Sequence, residues 1–191
     1  MSKMKRNIAS LFADAPVIAA VKDHIHLEKA IKTEANVIVI LFGTVCNIAT
    51  ICKTVKDAHK IPIVHIDLIN GLASKNEAVD FINEHTVADG IISTRQNLVK
   101  RALEVGLYGG QRTFLVDSMA VKTITKQIQN FKPTFLEIMP GTIFDEITKI
   151  RKITTIPLVA GGLLSSKKDI LAALNAGADA VSTTREDLWH V

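Results

Sequence analysis

The sequence predicts an α/β fold, a compact (β/α)8 barrel of the TIM type in a single domain, with residues 1–15 as an N-terminal extension. Three observations lead there. Eight short apolar runs each pass into a helix or a short helical turn, and their starts are spaced by roughly 20 to 27 residues, which suits short crossovers and a parallel sheet. Several runs are apolar almost throughout, as strands are when one face packs into a barrel and the other against helices. The last two runs end in a Gly-Gly turn and a Ser/Thr turn, of the kind that hold a phosphate after the final strands of such barrels. An open doubly wound sheet competes with this reading, but no Gly-rich dinucleotide loop follows the first strand.

Residues 1–15 are polar and then turn-like, and Ala9 to Phe12 suit a helical turn closing the bottom of the barrel. Strand one is Val17 to Val21, ending in Lys22 and Asp23, with a helix from about His26 to Thr33. Strand two, Val37 to Leu41, is β-branched and therefore extended rather than helical; Gly43 breaks it, and Thr44 to His59 is helical. Strand three is Ile63 to Asp67 after Pro62, and Lys75 to Asn83 is the next helix. Strand four, Gly90 to Thr94, leads into a helix from Gln96 to Val105 that Gly106 caps. Strand five is placed at Arg112 to Asp117 and its helix at Val121 to Asn130. Strand six is Phe135 to Met139, ended by Pro140 and Gly141, with a helix from about Phe144 to Arg151. Strand seven runs from Pro157 to Ala160, a helix from Ser165 to Asn175, and strand eight from Ala178 to Val181. A short terminal helix begins over Glu186 to Trp189.

A hydrophobic content of 48 % excludes a mostly disordered chain. Every apolar run is interrupted well short of the roughly 18 residues that a membrane span needs, and the basic N-terminus lacks an apolar segment with a cleavage site, so a cytoplasmic protein is expected. Cys46 and Cys52, six positions apart on one helix, do not have metal-ligand spacing and read as reduced thiols. The net charge of +4 permits an anionic ligand or a nucleic acid without demanding either. Basic residues fall in small clusters, among them Lys100 with Arg101, Lys122 with Lys126 and Lys132, and Lys167 with Lys168. Each reads singly as a solvated helix face; jointly they could line a homodimer surface that contacts a phosphate backbone.

Chemistry in such barrels sits at the C-terminal strand ends. Gly161, Gly162, Ser182 and Thr183 would form an anion nest there. His65 and Asp67, two apart on a strand, point the same way and either orient a ligand hydroxyl, shuttle a proton or form a polar layer under a pocket. Asp117 and Glu137 end neighbouring strands and could bind the hydroxyls of a polyol or hold a divalent cation, although the set of hard ligands is thin for a dedicated metal site. Lys22 could pair with Glu137 or a phosphate, or, if desolvated, form a Schiff base. Arg95 follows Ser93 and Thr94 as Arg185 follows Thr183 and Thr184, either to start a helix beneath an anion or as simple capping.

At HIDLINGL (His65 to Leu72), GIISTR (Gly90 to Arg95), QRTFLVDS (Gln111 to Ser118), EIMPG (Glu137 to Gly141), PLVAGGL (Pro157 to Leu163), NAGADAVSTT (Asn175 to Thr184) and the final Leu188 and Trp189, the chain closely resembles the glycerol uptake operon antiterminator regulatory proteins of Gram-positive bacteria. The resemblance runs from about Val17 to Trp189. It implies a cytoplasmic barrel that senses glycerol 3-phosphate and binds the leader mRNA of glycerol-catabolic genes to prevent premature termination, not an enzyme, and it implies no cofactor. Carried over, Gly161, Gly162, Ser182 and Thr183 would hold the phosphate, and Asp67, Asp117 and Glu137 would face the glycerol hydroxyls, with Lys22, Arg95 or Arg112 as charge partners. The family's Thr-Gly-Asp-Ile-like stretch after strand two is here Phe42 to Ile48, without the Asp. The residues alone also allow an isomerase or lyase acting on a small phosphorylated polyol, which turnover would distinguish, and a purely structural or protein-interaction barrel.

Overall fold

The computed structural model describes residues 6–190. Eight parallel strands close into one barrel in chain order: β1 (Val17–Val21), β2 (Val37–Ile40), β3 (Ile61–His65), β4 (Gly90–Ser93), β5 (Tyr108–Phe114), β6 (Phe135–Met139), β7 (Leu158–Gly161) and β8 (Ala180–Thr183), which pairs back onto β1. Helix α1 (Ile8–Asp14) precedes the barrel. The crossovers carry α2 (His24–Ala30), α3 (Ile48–Asp57), α4 (Asn76–His85), α5 (Gln96–Glu104), α6 (Ser118–Asn130), α7 (Phe144–Ile153) and α8 (Lys167–Asn175). Two 3-10 turns, Ile66–Leu68 and Glu186–Leu188, follow β3 and β8.

Strand alternation divides the apolar residues into two cores. Ile18, Val39, Ile63, Ile92, Tyr108, Phe135, Val159 and Ala180 fill the barrel interior. Their neighbours of opposite parity, such as Val64, Ile91, Leu136 and Val181, pack outward with Ile51, Val79, Leu98, Ile147 and Ile170 of the helices. Leu11 and Phe12 of α1 join the interior set rather than the outer one. The Phe12 ring meets Phe135 edge-on, with centroids 5.9 Å apart, so the helix seals the N-terminal end of the barrel. Burying such a side chain contributes roughly 2–3 kcal/mol.

Two strands lie earlier in the chain than the sequence suggests. The expected fifth strand at Arg112 to Asp117 is instead Tyr108–Phe114, because Gly109 and Gly110 form strand rather than a turn. A Cβ on Gly110 would lie 2.2 Å from the Phe135 ring, and one on Gly109 2.9 Å from the Val99 carbonyl oxygen, so both are sites of close approach. Asp117 consequently does not end a strand. It caps α6, accepting the Ala120 N–H at 2.8 Å. Likewise β3 stops at His65, and Asp67 falls in the following 3-10 turn. The far end of the sheet is pinned by Trp189, whose buried indole N–H donates to the Thr183 carbonyl at 2.8 Å.

Candidate functional site

A cavity of about 470 Å³ opens at the C-terminal ends of the strands, lined by polar groups of β5 to β8 and an apolar wall. Its floor is set by sheet register. Arg112 and Glu137 stand opposite each other on β5 and β6, and the Arg112 Nε donates to Glu137 Oε2 at 2.5 Å. Glu137 is 1 % exposed. Its space is made by β7: a Cβ on Gly161 would lie 2.6 Å from Glu137 Oε1. The remaining guanidinium nitrogens of Arg112 donate to no acceptor among the described residues, and this cation lines the cavity.

Beside the pair, the chain leaves β7 through two consecutive left-handed residues, Gly162 (φ 73°) and Leu163 (φ 58°). Leucine pays a steric penalty there that glycine does not, and its side chain is 76 % exposed. Backbone of this kind turns successive N–H groups to one side. The N–H groups of Gly162, Leu163, Leu164 and Thr184 donate to no acceptor among the described residues, and all four residues line the cavity. The start of α8 is different. Asp169 accepts the N–H groups of both Ser165 and Ser166, at 2.8 and 3.0 Å, within a capping box that already satisfies the helix N-terminus.

The candidate residues separate into two groups. Arg112, Glu137, Gly162, Ser182 and Thr183 line one cavity, and Gly161 lies against Glu137. Ser182 is on the inward parity of β8, while the Thr183 hydroxyl accepts the Arg185 N–H at 3.1 Å. The second group lies across the mouth. The Ser93 hydroxyl donates to the Asp67 carboxylate, 2.9 Å from each oxygen, and the Thr94 N–H donates to it at 2.9 Å, with Arg95 Nε at 3.8 Å. His65 is buried, its Nδ1 3.8 Å from Asp67. Burial, and then the nearby Arg112 charge, lower its pKa to about 4, so the ring is neutral at neutral pH.

Two expected contacts are not made. Lys22 is exposed and forms no ion pair among the described residues; Glu137 takes Arg112 instead, because register places the two side by side. Asp117 and Glu137 do not converge, since Asp117 lines a separate groove with Val121, Ile143 and Glu146. The apolar wall of Leu41, Met139, Leu163 and Leu164 was not foreseen, as hydrophobic residues at strand ends look like core. The left-handed Leu163 has no sequence signal beyond its place after Gly-Gly.

Residues 17–189 match the family described as glycerol-3-phosphate responsive antiterminators. The chain is 38 % identical over 179 residues to the uncharacterized protein YgcP of Escherichia coli (strain K12), covering 94 % of each. It superposes on the glycerol uptake operon antiterminator regulatory protein from Listeria monocytogenes with a TM-score of 0.88 at 31 % identity, covering 92 % of this chain and 95 % of that one. The glycerol uptake operon antiterminator-related protein of Thermotoga maritima follows with a TM-score of 0.81 at 27 % identity, covering 91 % and 96 %. An aldolase at 13 % identity shares the fold alone. With the match running from the first residue of β1 to Trp189, the chain belongs to the glycerol-3-phosphate responsive antiterminator family.

Proposed function

We propose that this protein is a glycerol 3-phosphate-gated antiterminator, which binds the ligand in the barrel mouth and the leader mRNA of glycerol-catabolic genes on its surface. The observation that carries the ligand half is the set of uncommitted donors around one cavity. Four residues whose backbone N–H groups donate to no acceptor among the described residues, Gly162, Leu163, Leu164 and Thr184, line the same cavity as Arg112. The phosphate would accept from these N–H groups and the Ser182 hydroxyl, with Arg112 supplying positive charge; Arg185, also at the cavity, is already paired with Asp187 at 2.8 Å. The Arg112–Glu137 pair offers a donor and an acceptor to the glycerol hydroxyls. The cavity falls within the size range of small-molecule sites.

Family membership supports a regulator rather than an enzyme. The site's own chemistry agrees: among the described residues Glu137 is the one carboxylate lining the cavity, and it is engaged by Arg112. Proton abstraction beside a carbonyl wants a base free to take the proton and an acid across the substrate. Gating follows only if the ligand favours one state of the protein and RNA favours the same state. Calorimetric titration of glycerol 3-phosphate, alone and with leader RNA, tests the reading. Saturable binding that tightens in the presence of RNA is expected, and Ser182→Ala should weaken it by about tenfold, the loss of one charge-assisted hydrogen bond. Turnover of phosphorylated polyols would overturn it in favour of an isomerase or lyase; ligand binding without any effect on RNA would remove the gating mechanism.

A further inference from the structure

We infer that the outer face of α6, with the adjoining Lys100 of α5, is the surface that contacts the RNA phosphates. This rests on the RNA-binding reading above and assigns it a place. Of the eight helices, α6 is the one without an Asp or Glu: from Ser118 to Leu136 the chain has Lys122, Lys126 and Lys132 and no carboxylate. The helix presents Met119, Lys122, Thr123, Lys126 and Gln129 to solvent. Lys122 and Lys126, one turn apart, lie on the same face. Lys132 is exposed just past the C-terminus, and the Lys100 ammonium is held 5.5 Å over the ring of Phe131 at the same end.

These four cations form no ion pair among the described residues, whereas most basic groups elsewhere do. Lys53 is paired with Asp57, Lys56 with Asp89, Arg101 with Asp80 and Glu104, and Arg151 with Asp179. At the start of α6 the carboxylates present are committed: Asp117 caps the helix and Glu146 pairs with Lys149 at 2.6 Å. An acid-free row of lysines interleaved with amide and hydroxyl groups suits a polyanion, whose phosphates would displace counterions from it. Exposed apolar side chains, Phe114, Val116 and Met119, gather at the N-terminal end of the helix, whereas the stretch that carries Lys122, Thr123, Lys126 and Gln129 offers a protein partner no apolar centre.

A second observation singles out this helix. It belongs to the same β/α unit as Arg112, the cation whose free nitrogens line the ligand cavity. Between them, the Leu115 N–H donates to the carbonyl of Met139, which also lines that cavity. A ligand that draws on Arg112 therefore acts on the strand end from which α6 starts. Lys167 and Lys168 of α8 also form no ion pair among the described residues and follow a cavity loop, but Asp169 stands beside them in the first turn of that helix, whereas α6 has no carboxylate.

The test is RNA binding by the intact protein, followed by fluorescence anisotropy with RNA transcribed from a glycerol-catabolic leader and with a scrambled RNA of equal length, across a salt series. The Lys122→Glu/Lys126→Glu variant is compared with Lys167→Glu/Lys168→Glu, which makes the same charge change elsewhere. The α6 variant should bind leader RNA at least about tenfold more weakly and with a salt slope smaller by about 1.5, while calorimetry shows its glycerol 3-phosphate affinity unchanged. Lys122→Gln/Lys126→Gln, which avoids new charge, should show the same direction if the reversal perturbs folding. Wild-type RNA binding that survives both α6 variants overturns the assignment and leaves the regulator reading standing. Absence of any wild-type RNA binding overturns both. A change of sedimentation coefficient in the α6 variants, with RNA binding intact, assigns the face to a second copy of the chain and overturns the RNA surface.

Discussion

The two halves of the barrel mouth carry similar residues whose hydrogen-bonding groups are committed differently. On the β3–β4 side, Asp67 is fully engaged by Ser93 and Thr94, and His65 lies buried beside it. On the β5–β8 side, the pair Arg112–Glu137 retains free guanidinium nitrogens, and the loop after β7 holds N–H groups with no acceptor. Polar residues at strand ends are therefore not enough to mark a binding site. What sets the β5–β8 side apart is uncommitted hydrogen-bonding capacity that opens on a cavity; the buried His65 Nδ1 also lacks a partner, but His65 is not among the residues that line that cavity.

Arg112→Leu should break the comparison most severely. It leaves Glu137 buried without its partner, and a decrease in unfolding free energy of about 3–5 kcal/mol is expected from urea denaturation, with glycerol 3-phosphate binding lost. Retained binding would remove Arg112 from the ligand site.

The opposite half should announce itself through pH. The folded pKa of His65, about 4, lies below its ordinary value of 6.5. The unfolded chain therefore binds the proton more readily, and this contribution is fully present above 6.5 and is lost as pH falls towards 4. It amounts to about 3 kcal/mol over that window. His65→Gln should flatten the dependence of the urea midpoint on pH between 7 and 4; an unchanged slope would place the acid sensitivity elsewhere.

The smallest effect is expected from Asp67→Asn, which keeps the shape but weakens the bonds from Ser93 and Thr94. A stability loss of about 1–2 kcal/mol should accompany a ligand affinity within about twofold of wild type. A large loss of affinity would erase the division between the two halves.

The barrel is legible because its repeating unit is written in local pattern: apolar runs such as Val37 to Leu41 alternate with helical stripes such as Ile48, Cys52 and Val55. Gly162 is legible as a left-handed turn residue; Ser182 and Thr183, which read as a turn, are instead the last residues of β8, because that strand starts at Ala180 and not at Ala178. The start of strand five is not legible, because Gly109-Gly110 has the local signature of a turn while its cause is a neighbouring strand's Phe135. The central contact is hidden with it. With β5 started at Tyr108, the same alternation that sets Phe135 inward sets Arg112 and Glu137 side by side. Asp67 and Asp117 have the chemistry of ligand groups, and only tertiary placement reveals that one braces β4 and the other caps α6.

Phe12 makes the barrel a blind cup. With the bottom stoppered by α1, whatever occupies the interior mouth has a single doorway, and it lies at the rim where Leu163 stands exposed. Entry and exit share one path, so any macromolecule spread across that rim would slow the departure of a small ligand without touching it.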